Sequence, residues 1–280
     1  MPAAYLENRR FIRIAGPDAE SFLQNLITTD VAALPHGEAW PGALLTPQGK
    51  ILFDFAIWRD GDAFLIETDQ SQQDALARRL NLYKLRAPVE ILPLADEGVT
   101  VRWGSEADGA GALDLRFARA GTRLIRVPGR MEEVAGEEDY DALRIEAGVP
   151  VSGADFALQD AFPHDILLDL SGGVSFRKGC YVGQEVVSRM QHRGTARRRL
   201  VQIAGDRELP PQGTEITAAG KPVGALGTVS GKQGLAIVRI DRVGAALAAG
   251  ELLLAGDVPL TASLPAWSGL AFPADEEAAP

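Results

Sequence analysis

Cysteine, histidine and long apolar runs are all scarce in this sequence. Its single cysteine, Cys180, excludes a disulfide within the chain and any all-thiolate zinc or iron–sulfur site built by one copy. Three histidines leave little for a histidine-rich centre, and we predict no resident metal. No stretch approaches the roughly 18 to 20 uninterrupted apolar residues of a membrane span, and the N-terminal residues lack the apolar core of a secretory signal. We therefore expect a cytoplasmic protein with no membrane partner.

The composition is that of an acidic globular protein. The chain has 280 residues, 46% of them hydrophobic, and a formal net charge of −10. This apolar fraction argues against disorder over most of the chain. The acidic balance argues against a protein that coats nucleic acid or anionic membranes non-specifically, because the field of the whole molecule repels both.

The first part of the chain mixes strands with helices. Alternating residues predict a strand over 5–16, and spacings of three and four predict a helix that begins at Ala19. An antiparallel meander over 43–69 precedes a helix that Ser71 caps. This mixture without strict alternation favours an α+β fold over a doubly wound parallel sheet.

The pattern changes twice further along the chain. Short strands are predicted from residue 89 onward, among them 113–117, and they are followed by a helix that Gly148 ends. After residue 200, short apolar segments punctuated by glycine and free of helical periodicity predict a small closed β-barrel. We divide the chain into an α+β region (1–195), a C-terminal β-barrel (196–272) and a frayed tail (273–280).

Positive charge is concentrated around the only cysteine. The segment 176–200 holds seven Lys or Arg residues and one acid, a net charge of +6 that leaves −16 for the rest of the chain. An anion site is one interpretation, because arginine binds carboxylates and phosphates bidentately; surface charges paired with nearby acids are the other. Cys180 follows Lys178 and precedes a predicted short helix over 183–190, surroundings that favour a reactive thiolate. An ordinary buried cysteine is the alternative.

Asp54 and His164 are two further candidate site residues, because of the sequence around them. Asp54 interrupts an apolar run in the meander, so its carboxylate either faces inward and needs a partner or a ligand, or faces solvent on the alternate face. His164 offers a His–Cys pair with Cys180, although a loop histidine is the favoured interpretation. The sequence contains no nucleophile elbow, phosphate-binding Gly-Lys-Ser/Thr loop or paired-His motif.

The octapeptide 178–185, Lys-Gly-Cys-Tyr-Val-Gly-Gln-Glu, resembles the signature of the YgfZ family, folate-binding proteins implicated in iron–sulfur cluster assembly or repair. Other blocks resemble the family in the same order along nearly the whole chain: 11–31, 44–58, 83–91, 144–153 and 172–200. The segments 224–231 and 235–240 resemble the end of the glycine cleavage T-protein superfamily, to which YgfZ belongs.

The resemblance implies two interlocked ferredoxin-like α+β subdomains and a C-terminal β-barrel, arranged around a central channel that holds tetrahydrofolate. In T-proteins a Gly-Gly-X-X-Asp-Asp hairpin supplies a catalytic Asp. The matching segment here keeps only Asp54, since Phe53 stands at the other acidic position. A Pro-X-Glu block of T-proteins grips the pteridine, and Pro163-His164-Asp165 aligns Asp165 with that acid.

Three functional hypotheses follow from these residues. The one we favour is a protein that binds tetrahydrofolate or a derivative and assists iron–sulfur cluster assembly or repair, with client or assembly proteins as partners. This function requires no catalytic turnover. One thiolate cannot complete a four-ligand cluster site, so a cluster at Cys180 would be shared. The alternatives are a folate-dependent one-carbon transferase of the aminomethyl type, acting on an amine or a tRNA-linked substrate, and an RNA-binding module that uses the +6 segment.

The predicted site combines residues from the hairpin, the octapeptide and the basic segment. We assign catalysis to Cys180 and Asp54. We assign folate binding to Asp54, Asp165, Lys178, Tyr181, Gln184, Arg193 and Arg198. Arg193 and the arginines 197–199 are candidates for holding the glutamate carboxylates of folate or a protein partner. A monomer is expected, with RNA at most an indirect partner.

Overall fold

Thirteen strands and six α-helices occur in the part of the chain that the computed structural model describes, residues 2–105, 107, 109–131 and 137–273. The strands close into an N-terminal and a C-terminal barrel. The predicted α+β class and C-terminal β-barrel are confirmed. The predicted frayed tail lies outside the described residues, apart from Pro273.

The N-terminal barrel has seven strands: β1 (Ala3–Ala15), β2 (Glu38–Leu45), β3 (Ile51–Asp60), β4 (Ala63–Asp69), β5 (Glu90–Trp103), β6 (Ala112–Asp114) and β7 (Leu124–Pro128). Their order around the barrel is β1-β4-β3-β2-β6-β7-β5, and β5 pairs with β1 to close it. The predicted meander is confirmed in the antiparallel strands β2, β3 and β4. Only β2 and β6 pair in parallel among the described strands. One sheet thus joins the two expected α+β units.

Among the described residues, five helices accompany this barrel: α1 (Ala19–Gln24), α2 (Gln70–Lys84), α3 (Leu115–Arg119), α4 (Glu137–Ala147) and α5 (Gln184–Arg193). The cap of α2 is Asp69 rather than the predicted Ser71, and its carboxylate accepts the Ser71 amide at 2.8 Å. The predicted strand 113–117 is wrong beyond Asp114, because the Asp114 carboxylate accepts the Arg116 amide and begins α3. Gly148 follows α4 as predicted, with a φ of +65°.

The C-terminal barrel has six strands: β8 (Arg198–Gly205), β9 (Glu215–Ala218), β10 (Lys221–Ser230), β11 (Gln233–Arg239), β12 (Leu253–Ala255) and β13 (Val258–Ser263). Their order is β10-β11-β8-β13-β12-β9. Helix α6 (Ile240–Ala248) was not predicted, and its Val243 and Ala246 pack into the core of this barrel. No described helix is long and apolar enough to cross a membrane.

The sheet of the N-terminal barrel is packed on both faces. Successive residues of a strand point to opposite sides, so Phe11 packs with Trp58 in one apolar cluster while Ile12 joins the other. Leu76 and Leu80 of α2 belong to the cluster of Ile12. The other cluster includes Tyr140 of α4. This arrangement brings α2 and α4 to opposite faces of the strands that carry the candidate site.

Candidate functional site

Two adjoining cavities lie beside β3 and outline about 410 and 730 Å³ of space, part of which is open to solvent. Both have Asp54, Phe55 and Arg116 in their walls. The smaller cavity is largely apolar, with Val149, Pro150, Ile166, Leu168 and Trp267 among its lining residues. The larger one is polar, with Arg9, Asp69, Tyr140, Asp141, Arg144 and Ser152 in its wall. Asp54 therefore stands where an apolar and a polar compartment meet.

Asp54 is half-buried in the walls of these cavities and its carboxylate has a protein partner, as expected for the inward orientation. Its Oδ1 accepts a hydrogen bond from Gln72 Nε2 at 3.2 Å, and the same amide nitrogen donates to Ser152 Oγ at 2.9 Å. Gln72 is buried, and its Oε1 has no hydrogen-bond partner among the described residues. Helix α2 thus orients Asp54 through one side chain.

A buried ionic network forms part of the wall of the polar cavity. Glu67 on β4 is fully buried and accepts hydrogen bonds from Arg9 Nε at 2.7 Å and Arg126 Nε at 2.6 Å. Arg126 also donates to Asp114 at 3.0 Å, and Asp114 pairs with Arg116 at 2.6 Å. Burial alone raises the pKa of Glu67, but the charges of Arg126 and Arg9 outweigh it and hold the pKa at about 2. Each of these three arginines is bonded to a carboxylate, and with two carboxylates for three arginines the network keeps a net charge of +1.

Sequence reasoning missed this network. Glu67 stands in the apolar run of β4 much as Asp54 stands in that of β3, so the same signal was available. Its partners were not visible from the sequence, because Arg9 and Arg126 lie 58 and 59 residues away.

The octapeptide forms a loop that buries its flanking side chains and exposes its thiol. Cys180 is exposed. Lys178 is buried, and its Nζ donates to the carbonyl oxygens of Ile27 and Thr29, each at 2.7 Å. Burial lowers the pKa of Lys178 to about 8 and raises that of the buried Tyr181 hydroxyl to about 12. Lys178 and Tyr181 thereby fix the loop, while the thiol stays accessible; the buried-cysteine alternative is wrong.

Two glycines dock this loop on the hairpin that leads to Asp54. Gly183 and Gly49 both have a φ of +79°, a region that disfavours other residues. A Cβ on Gly183 would lie 2.5 Å from the carbonyl oxygen of Thr46, and one on Gly49 would lie 2.9 Å from Val186. The octapeptide and the β2–β3 turn are therefore in close backbone contact.

Asp165 and Arg198 lie apart from the cavity walls. Asp165 is buried, and its Oδ2 accepts the Phe162 amide at 3.0 Å, which caps a short 3₁₀-helix, Pro163–Ile166. Burial raises the pKa of Asp165. Arg198 lies 3.5 Å from Asp165 and pairs with Asp160 at 3.0 Å. The structure thus does not bring Asp165 to Asp54, because its carboxylate turns back to the backbone; Ile166 lines the apolar cavity instead.

The basic segment is partly neutralised by neighbours. Arg189 pairs with Glu185, and Arg199 pairs with Asp169 at 2.8 Å. Three arginines are exposed and have no side-chain hydrogen bond or ion pair among the described residues: Arg177, Arg193 and Arg197. Gln184 donates to the Gly179 carbonyl at 3.4 Å, within the octapeptide loop. Pairing with nearby acids thus accounts for part of the charge run, and the anion site stays a prediction.

The two residues assigned to catalysis occupy different places. Asp54 lines the cavities, whereas Cys180 is exposed and is not among the residues of either wall. His164 does not pair with Cys180: it is buried, and its Nε2 lies 3.2 Å from Gln191 Oε1. Burial lowers the pKa of His164. Within the described residues, no group of three or more His, Cys, Asp or Glu side chains is placed to hold a metal ion.

Similarity to solved structures defines the class of fold. The glycine cleavage system aminomethyltransferase T of Bartonella henselae matches with a TM-score of 0.74, over 94% of this chain and 85% of that one. Their sequences are 17% identical, so the likeness shows the fold alone. Residues 197–270 match the family model of the CAF17 C-terminal beta-barrel domain. The chain thus has an aminomethyltransferase-like fold with a C-terminal β-barrel.

Sequence relatives then give the family. The human mitochondrial iron–sulfur cluster assembly factor IBA57 is 33% identical, over 94% of this chain and 84% of the relative. The mouse protein of the same name is 31% identical, over 85% of this chain and 77% of the relative. A homologue from Pyricularia oryzae is 32% identical over 78% of this chain, which spans 62% of that protein. The chain belongs to the IBA57 family. The expected kinship with iron–sulfur assembly proteins is confirmed, while the narrower assignment to YgfZ stays a prediction.

These relatives also correct the predicted location. They are named as mitochondrial proteins, which points to a mitochondrial and not a cytoplasmic location. The prediction rested on the lack of a membrane span and of a secretory signal, and neither feature separates the cytosol from a mitochondrial compartment.

Proposed function

We propose that this protein acts in iron–sulfur cluster assembly as a folate-binding protein whose functional thiol is Cys180. Relatives that share most of its length are named as iron–sulfur cluster assembly factors. The observation that carries the proposal is the build of the octapeptide loop, in which Lys178 and Tyr181 are buried while Cys180 between them is exposed. Because the loop is anchored on both sides of the thiol, the thiol stays accessible, which suits a transient contact with a partner protein.

The side chains around Asp54 offer hydrogen-bond acceptors of the kind that a reduced folate needs. A pterin ring presents an amino group and a neighbouring ring N–H side by side, and a carboxylate accepts both. Asp54 offers such a carboxylate at the edge of an apolar compartment lined by Ile166, Leu168 and Trp267. The buried Gln72 Oε1 adds an acceptor that has no partner in the described residues. When bound, a reduced folate supplies a carrier for one-carbon units.

Folate binding is tested by thermal melts with tetrahydrofolate, under reducing conditions. A ligand that binds only the native state at 100 times its Kd stabilises it by about 2.7 kcal/mol. We expect a rise in Tm for the wild type and a smaller one for Asp54→Asn. Asp62→Asn, an exposed acid in the β3–β4 turn, is the matched control and should behave as the wild type. The lack of any shift at millimolar tetrahydrofolate would reject folate binding.

The role of the thiol is tested in cells that lack this protein. Cys180→Ser should fail to restore the activity of iron–sulfur enzymes while retaining the Tm of the wild type, because the side chain is exposed. Ser188→Ala in α5 serves as a neighbouring control and should restore activity. Full rescue by Cys180→Ser would leave the thiol without a function.

A folate-dependent one-carbon transferase is the second candidate. The aminomethyltransferase-like fold and the position of Asp54 in the cavity wall favour it. In that case Asp54→Asn would abolish one-carbon transfer from 5,10-methylenetetrahydrofolate to an amine acceptor while the variant still showed a folate-dependent Tm shift. Transfer that is absent in the wild type, or unchanged in the variant, would eliminate this candidate.

A further inference from the structure

The C-terminal end of α2 presents leucines to solvent. Leu82 is 69% exposed and Leu85 is 87% exposed, and Leu92 near the start of β5 is 47% exposed. Single exposed leucines are common, but neighbouring ones form a patch of the kind that partners cover. Leu82 lies in the last turn of α2 and Leu85 is the first residue after it, so the two leucines are neighbours at the end of the helix.

The backbone at Leu85 adds a second observation. Leu85 has a φ of +48°, in the left-handed region that residues with a side chain avoid. Such a conformation persists when the surrounding structure imposes it, and it occurs often at functional surfaces. Burial does not compensate for it here, since the side chain projects almost fully into water.

The same helix end is positively charged. Between residues 75 and 89 there are four cations and no acid, in a chain whose net charge is −10. Arg78, Arg79 and Arg86 are exposed and Lys84 is partly exposed. None of the four has a side-chain hydrogen bond or ion pair with a described residue. In the segment 176–200, by comparison, Arg189, Arg198 and Arg199 have acidic partners, so that segment is only partly unpaired.

A groove runs beside these residues. Its walls include Lys84, Ala87, Pro88 and Ile91, and it encloses about 770 Å³ of space that is open to solvent. Glu90 lines the groove as well, Lys84 is the lining residue that belongs to the cationic helix end, and the exposed leucines lie outside the wall.

We propose that this helix end, defined by Arg78, Arg79, Leu82, Leu85 and Arg86, docks an acidic protein segment that carries apolar side chains. Leucines contribute nothing to the binding of phosphates and do not stack on bases, which disfavours RNA. The net charge of −10 disfavours an anionic lipid surface, because the field of the whole molecule repels it. Two copies cannot face each other here without opposing cations, which disfavours symmetric self-association. The proposal does not depend on folate binding or on Cys180.

The test uses photocrosslinking in the full chain, within cells that make it naturally. A benzophenone amino acid replaces Leu85, and the control replaces Leu252, a 66% exposed leucine of the C-terminal barrel. We expect adducts from the Leu85 position that are absent from the control. The crosslinked peptide of the partner should be rich in Asp or Glu and contain apolar residues.

The captured partner is then purified and its affinity for variants is measured. Leu82→Ser/Leu85→Ser and Arg78→Glu/Arg79→Glu should each weaken binding at least tenfold at unchanged Tm. Lys221→Glu/Leu252→Ser, an exposed cation and leucine of the C-terminal barrel, should bind as the wild type. Adducts with RNA, lipid, a basic segment or a second copy would overturn the proposal. So would adducts no stronger than the control, or an affinity that neither variant changes.

Discussion

The two barrels are both closed sheets, but their interiors differ in kind. The core of the C-terminal barrel is apolar, built from residues such as Val201, Ile216 and Val238. The N-terminal barrel packs apolar clusters as well, yet it also buries Glu67 and Arg126. An apolar core requires only good packing, whereas a buried charge is tolerated only when it is paired. The N-terminal barrel is therefore the one that places a fully buried ion pair, Glu67 with Arg126, among its strands.

Removal of the central carboxylate should have the largest effect. Glu67→Ala leaves Arg126 buried without its main partner, and loss of one partner of a buried pair costs about 3–5 kcal/mol. Urea unfolding measures this loss. Ile216→Val in the C-terminal barrel serves as the comparison and should cost about 0.5–1.5 kcal/mol. Glu67→Ala/Arg126→Met should recover part of the loss; a double variant no more stable than Glu67→Ala would show that charge pairing is not the cause.

Acid should destabilise the protein through the same residue. The pKa of Glu67 in the folded protein is about 2, against an ordinary 4.5, so its contribution is present above pH 4.5 and is lost as the pH falls toward 2. The shift corresponds to roughly 3 kcal/mol. Free energies of unfolding measured across this range should fall less steeply for Glu67→Ala than for the wild type. Equal slopes would contradict the assignment.

Substitution of alanine for either of two glycines should have a smaller effect on stability, and the two substitutions can be compared directly. Alanine at a left-handed position costs about 1–2 kcal/mol. Gly213 near the C-terminal barrel has a φ of +84° and open space around a Cβ, so Gly213→Ala should show that cost alone. Gly183→Ala should lose about 1–3 kcal/mol more, because its Cβ meets the Thr46 carbonyl. Thermal or urea unfolding compares the two; equal losses would mean that the octapeptide loop moves away from the hairpin at little cost.

The parts of the fold that depend on local pattern were predictable. The meander, the barrel and the end of α4 at Gly148 follow from alternation, turn residues and a helix stop within a few neighbours. Helix α3 was not predictable, because the hydrogen bond by which Asp114 caps it outweighed an apolar alternation of only five residues. Asp54 could be singled out from the sequence, because a charged residue stands out in an apolar strand.

The contacts that shape the site span long stretches of sequence. Lys178 looked like a ligand for an anion, but its ammonium binds carbonyl oxygens of residues far back in the chain. Asp165 looked like a pterin ligand, but a local cap uses its carboxylate. Both side chains could satisfy a backbone group or a ligand, and residue type alone does not distinguish the two.

The long sequence separation of the contacts that Lys178 makes has a consequence for biosynthesis. Its contacts with Ile27 and Thr29 span 151 and 149 residues. At a synthesis rate of about 5–20 residues per second, the ribosome needs roughly 7 to 30 s to make the intervening chain. The N-terminal barrel can close once β7 has emerged, but this buried contact must wait for the octapeptide. The loop that exposes Cys180 is thus among the later pieces to dock, so the thiol reaches its final place only on a chain whose N-terminal barrel has already been made.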